Sequence, residues 1–95
     1  MIRAVRQGQV IAESDATIEV EGNHYFPPDS VDRDALPDSA TTTRCFWKGK
    51  AQYHHLLIDG EIHPDMAWTY PAPWPLARRI EGYVAFSPPG VIERR

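Results

Sequence analysis

Three groups of side chains in this 95-residue chain carry reactive or ligand-binding chemistry. The first is Arg44-Cys45-Phe46-Trp47-Lys48-Gly49-Lys50. An extended backbone sends alternate side chains to opposite faces, which puts Cys45 with Trp47 and leaves Phe46 on the other side. Positive charge from Arg44 and Lys48 favours the thiolate, so Cys45 is a candidate nucleophile and Lys48 a candidate acid, base or anion clamp. The competing reading is a lone cysteine packed as a small hydrophobe. The second group is aromatic: Trp47, Trp68, Tyr70, Trp74 and Tyr83. Trp68 and Tyr70 share one face of a strand, and Trp74 follows in a proline-bound loop. A cleft walled by these rings, with Lys48 at its mouth and Cys45 at its floor, suits a small planar or anionic molecule. Plain core and loop packing is the alternative. The third group is His54, His63 and Asp65, two imidazoles and a carboxylate that make weak candidate metal ligands or a proton-shuttling pair. No fourth ligand accompanies them, so no metal is assigned and no cofactor is expected.

The elements that must position these groups are short and extended. Asp59-Gly60 is the strongest hairpin signal, because a type I′ turn needs positive φ at both central residues. A two-residue turn there sets Ile58 opposite Glu61, Leu56 opposite His63 and His54 opposite Asp65. One face then carries His54, Leu56, Ile58, Glu61, His63 and Asp65 and reads as the wet side. The other carries Tyr53, His55, Leu57, Ile62, Met66 and Trp68 and reads as the core side. Pro64 is the point at which this register can break.

Upstream, Val10-Ile11-Ala12 and the alternating Thr17–Glu21 read as strands, as does His24-Tyr25-Phe26, which is stopped by Pro27-Pro28. Asp29–Ala40 is acidic and loop-like, with one helical turn begun at Ser30 and ended by Pro37. Thr41–Trp47 is β-branched and then aromatic, the composition of a central strand. Pro71–Pro75 is an extended loop, Leu76–Ile80 one helical turn, and Gly82–Phe86 a strand. Pro88-Pro89-Gly90 is a loop, and Val91-Ile92-Glu93 an edge strand. About seven or eight short antiparallel strands, with turns at regular spacing, predict a mainly β single domain over residues 1–95 with one or two single-turn helices.

Composition narrows the function. Ten basic residues against thirteen acidic ones leave a net charge of −3, which argues against a generic nucleic-acid-backbone binder. No apolar run is long enough to cross a bilayer, and the first residues lack the apolar stretch of a secretory leader, so a cytoplasmic location is expected without membrane attachment. A single cysteine excludes a disulfide framework and any zinc site of paired thiolates.

Four motifs in order make the chain familiar. Tyr25-Phe26-Pro27 resembles a YFP element, and Thr43–Tyr53 resembles a T-x-C-x-x-K-G-x-A-x-Y core. Ala67–Pro73 is similar to an A-W-x-Y-x-x-P element, and Ile80–Phe86 to a closing I-x-G-x-V-A-F strand. Together they resemble the family catalogued as domain of unknown function 427, sometimes labelled nucleotidyltransferase-like, over nearly the whole sequence. Phe46 departs from the proline that the family often has after the cysteine. The resemblance implies a β-tent of two sheets, as in certain zinc-binding modules, here without zinc because the paired cysteines are missing. Nucleotidyl transfer needs clustered carboxylates holding magnesium beside a phosphate-cradling backbone. Asp32 and Asp34 have the spacing of such a pair but stand in the acidic loop without the preceding glycine-serine element.

These readings lead to a small-ligand-binding β domain with Trp47, Lys48, Trp68, Tyr70 and Trp74 around the ligand. Two alternatives stand beside it. One is an enzyme at the same cleft, with Cys45 as nucleophile or Lys48 as acid or base, including nucleotidyl transfer. The other is a homodimeric interaction module anchored by its tryptophans.

Overall fold

The computed structural model describes residues 1–87 and the backbone of 92–94. The expected loop at Pro88-Pro89-Gly90, and Val91 of the expected edge strand, lie outside the described residues. Nine antiparallel strands are found among the described residues, in three sheets rather than two. The first sheet has the order β2 (Gln9–Ser14), β1 (Ile2–Arg6), β9 (Ile92–Arg94). The second is a hairpin of β3 (Ile18–Val20) and β4 (Asn23–Tyr25). The third has the order β5 (Asp38–Cys45), β6 (Gly49–Ile58), β7 (Glu61–Thr69), β8 (Val84–Phe86). Short 3₁₀ turns at Pro28–Ser30, Arg33–Ala35 and Pro75–Ile80 are the helical elements.

Turn chemistry explains the connectivity. Three hairpins close on a residue-glycine pair with both φ values positive: Gln7-Gly8 (51° and 80°), Glu21-Gly22 (54° and 82°) and Asp59-Gly60 (51° and 79°). These are the dihedral signs of type I′ turns, whose twist matches that of the flanking strands. The first of them reveals β1, a strand the sequence reading did not include. Its signal was the alternation of Ile2 and Ala4, both buried, around Arg3. In the acidic loop the cap differs from expectation. Asp32, not Ser30, caps a turn by accepting the Asp34 N–H at 3.1 Å, while Ser30 donates to the Pro27 carbonyl at 2.7 Å.

Two apolar clusters lie on opposite faces of the four-stranded sheet. One gathers Ile2, Ala4, Ile11 and Ala12 of the first sheet with Phe26, Leu56, Ile58, Ala67, Val84 and Phe86. The other gathers Val20, Tyr25, Ala51, Tyr70, Ala77, Ile80 and Ala85, bringing in the β3–β4 hairpin and the Pro75–Ile80 turn. Successive residues of β8 alternate between the clusters, so this three-residue strand is buried on both faces.

Three sequence expectations about this sheet are corrected. Leu56 pairs with His63 and Ile58 with Glu61 as the turn dictates, but His54 pairs with Ala67, not Asp65. Pro64, Asp65 and Met66 all stand opposite His55, a bulge in which Asp65 takes a φ of +54°. The faces are also reversed. Leu56 and Ile58 are fully buried and His54 nearly so, whereas Ile62 is half exposed. Both faces carry apolar residues, and packing against β1 and β2 selected the His54-Leu56-Ile58 side. Finally, the β-branched Thr41–Thr43 belongs to β5, an edge strand and not a central one.

Candidate functional site

The turn between β5 and β6 is the three residues Phe46-Trp47-Lys48, closed by the pairing of Cys45 with Gly49. Gly49 makes this turn possible. Its φ of +103° is one that side chains resist, and a Cβ there would lie 3.4 Å from Cδ1 of the Trp74 ring. The Trp74 N–H donates to the Lys48 carbonyl at 3.0 Å, which seats the proline-rich loop on the hairpin turn. Cys45 and Trp47 pack on the cluster with Tyr25 and Tyr70, and Phe46 is 88% exposed, but the strand expected to run through Trp47 ends at Cys45, so the turn sets these directions.

Lys48 does not sit at a mouth. It is 5% exposed, with its Nζ 5.3 Å from the Trp47 ring centre and 5.4 Å from that of Tyr70. Its ammonium donates to a carboxylate oxygen of Glu21, and the Trp47 Nε1–H donates to the other oxygen at 3.3 Å. Burial is the largest single effect and works against the charged ammonium, but the bond to Glu21 and the nearby charges of Tyr25, Tyr70 and Glu21 together outweigh it and carry the Lys48 pKa above the ordinary lysine value. Lys48 is therefore cationic at neutral pH, able to hold an anion and unsuited to accept a proton. The same bond from Lys48, then that from Trp47, lowers the Glu21 pKa, and burial raises that of Tyr70.

Glu21 is the residue that sequence reasoning missed. Its signal was the Glu21-Gly22 pair, a hairpin turn of the same kind as Asp59-Gly60. The left-handed backbone that closes β3–β4 also turns the carboxylate toward Lys48. Aromatic contacts complete the cluster. Trp68 donates its Nε1–H to the Tyr25 hydroxyl at 3.1 Å and lies edge-on to that ring at 6.5 Å, and Tyr53 stands 6.0 Å from Trp68. Cys45, Trp47, Lys48, Trp68 and Tyr70 thus meet in one cluster, with Trp74 beside it on Gly49. No cavity is found among the described residues, so the rings and the ammonium are packed against one another and do not wall an open cleft.

The histidines are separated. His54 lies 3.2 Å from Asp38, His63 lies 3.2 Å from Glu61, and Asp65 lies 3.6 Å from His55. The Asp65 N–H donates to His55 Nδ1 at 3.1 Å, and its carboxylate accepts from the Ser39 hydroxyl at 2.5 Å and the Thr41 hydroxyl at 2.8 Å. Asp65 thereby ties β5 to the bulge of β7, and these hydroxyl bonds lower its pKa. No group of three His, Cys, Asp or Glu among the described residues is placed to hold a metal ion. No helix among them is long and apolar enough to cross a membrane.

No curated protein matches the sequence. A family does. The family described as Domain of unknown function (DUF427) matches residues 1–93, and its span takes in the Lys48 turn, the Trp68–Tyr70 strand end and the Glu21 hairpin alike. The chain belongs to this DUF427 family.

Proposed function

We propose that this domain binds a small planar anion at Lys48, and that the Glu21 carboxylate holds the anion's place until a ligand displaces it. The observation that carries the reading is the asymmetry of the ion pair. The Lys48 side chain is 7% exposed and flanked by two ring faces, whereas the Glu21 side chain is 53% exposed and stands on a two-residue turn. Exchanging one carboxylate for another keeps the buried ammonium paired, so exchange avoids the penalty of an uncompensated buried charge. Movement of the Glu21-Gly22 turn opens the room that the packed cluster lacks. Trp47 and Tyr70 then stack on the ligand, with Trp68 and Trp74 behind them.

The raised Lys48 pKa favours a clamp over a base, and for that reason binding is placed ahead of catalysis at this site. The proposal carries with it the β-tent architecture implied by the family resemblance and a cytoplasmic setting, both of which go beyond the three antiparallel sheets described above.

The test is a thermal-shift and Trp-fluorescence titration with benzoate, nucleoside monophosphates and inorganic phosphate. A binder raises Tm as its concentration rises above Kd. Glu21→Gln, which removes the competing charge, is expected to bind the same anion more tightly, and Lys48→Met to bind none. The reading is overturned if Glu21→Gln, still folded, responds to no anion at millimolar concentration.

A further inference from the structure

The sheet edges of this molecule are treated unequally. The outer side of β2 is bridged by Val31, where Ala12 pairs with Val31 and the Asp32 N–H donates to the Ile11 carbonyl at 2.8 Å. The outer side of β8 is bridged by Phe26, which exchanges backbone bonds with Val84 at 2.8 and 2.9 Å. β5 is eight residues long, and no described segment bridges its outer side. Ala40, Thr41, Thr42, Thr43 and Arg44 are all exposed, with the Thr41 hydroxyl donating to Asp65 and the Thr41 N–H to the Ser39 hydroxyl. It contains no proline, and its β-branched residues favour extended pairing. An uncovered edge of this kind is a template for another strand.

Charge decides which strand. In an antiparallel pairing of β5 with itself centred on Thr41, residues three before and three after the centre face each other across the axis. Asp38 of one copy then meets Arg44 of the other, twice by symmetry, with Ser39 opposite Thr43 and Ala40 opposite Thr42 between them. The Asp38 side chain is 89% exposed. Within its own chain Arg44 stands opposite Lys50, a like charge that an incoming carboxylate relieves. We propose that two copies of this chain associate by antiparallel pairing of their β5 edges, in the register that sets Asp38 against Arg44. The bulge between Asp38 and Thr42 falls at the centre of this pairing, so the association is weak and its specificity lies at the charged ends. This surface is separate from the Lys48 cluster and involves none of the tryptophans.

The experiment is sedimentation velocity of the full chain from low micromolar to millimolar concentration. A concentration-dependent dimer is expected, weakened on the order of tenfold or more by Arg44→Glu, which brings like charges together at both ends. The charge-swapped double variant Asp38→Lys/Arg44→Glu is expected to restore it. Asp38 also faces His54, so Arg44→Glu, at an exposed position, decides the matter if the double variant is unstable. A monomer at every concentration overturns the proposal, as does a dimer indifferent to Arg44→Glu. A monomer that instead adds a foreign extended peptide at β5 also overturns it, assigning the edge to another partner.

Discussion

Lys48→Met removes an ammonium while keeping an unbranched stem of similar length, so it separates the charge of the site from its packing. The wild-type ammonium lies within 5.4 Å of two ring centres. Each such contact contributes about 0.5–1 kcal/mol in the open and about 2 kcal/mol when desolvated. The gross loss from both rings is therefore about 1–4 kcal/mol. Methionine offsets part of it, because a thioether keeps favourable contacts with the rings and needs no hydration. Glu21 is left facing solvent on its turn, where water replaces the lost donor. A net destabilisation of about 1–2 kcal/mol is expected. In a domain of this size each kcal/mol moves Tm by about 4–8 °C, so Tm falls by about 4–16 °C with the transition still cooperative. Far-UV circular dichroism melts give Tm, and Trp emission, summed over Trp47, Trp68 and Trp74, follows the aromatic cluster. The reasoning fails if the variant has no cooperative transition, which makes Lys48 part of the folding core. It fails equally if Tm is unchanged within about 2 °C, which means that the rings do not engage the ammonium in solution.

Other perturbations test the rest of the structure. Phe26→Ala empties a fully buried site that lies edge-on to Phe86 at 5.6 Å and is expected to cost about 3–5 kcal/mol in a urea titration. Phe46→Ser, at an 88% exposed position, is expected to change stability by no more than about 0.5 kcal/mol in the same measurement. Gly49→Ala and Gly60→Ala both place a side chain at positive φ and are each expected to lose about 1–2 kcal/mol. Only Gly49→Ala, whose Cβ touches Trp74, is expected to shift the Trp emission of the folded state. Burial lowers the His54 pKa from 6.5, and Asp38 opposes that effect only in part. The unfolded chain then takes up the proton first, so stability falls as pH drops below about 6.5 and levels off below the folded-state pKa. Equilibrium unfolding across that window is expected to show this slope in the wild type and to lose it in His54→Gln.

Local chemistry was legible wherever a few adjacent residues decide the outcome. Asp59-Gly60 turned as its φ requirements demand, and the first pairs beyond it, Ile58 with Glu61 and Leu56 with His63, followed without tertiary help. Cys45 and Trp47 fell on one side of the chain with Phe46 on the other as expected, although the strand ends at Cys45 and it is the turn, not a period of two, that places Trp47 and Lys48 together. The motifs from Tyr25 to Phe86 pointed to the family to which the chain belongs.

What the sequence by itself determined, then, was a mainly antiparallel β domain, its principal turns and the membership of most of the Lys48 cluster. Only the tertiary structure decided which face of the β6–β7 hairpin is buried, since both faces carry apolar side chains and the outcome depended on packing against β1 and β2. It also decided that Pro64, Asp65 and Met66 stand opposite a single residue, which separates His54 from Asp65. Above all it brought Glu21 to Lys48 across 27 residues of chain. A contact so distant leaves no periodicity to read, because it arises from how two hairpins fold over the same sheet.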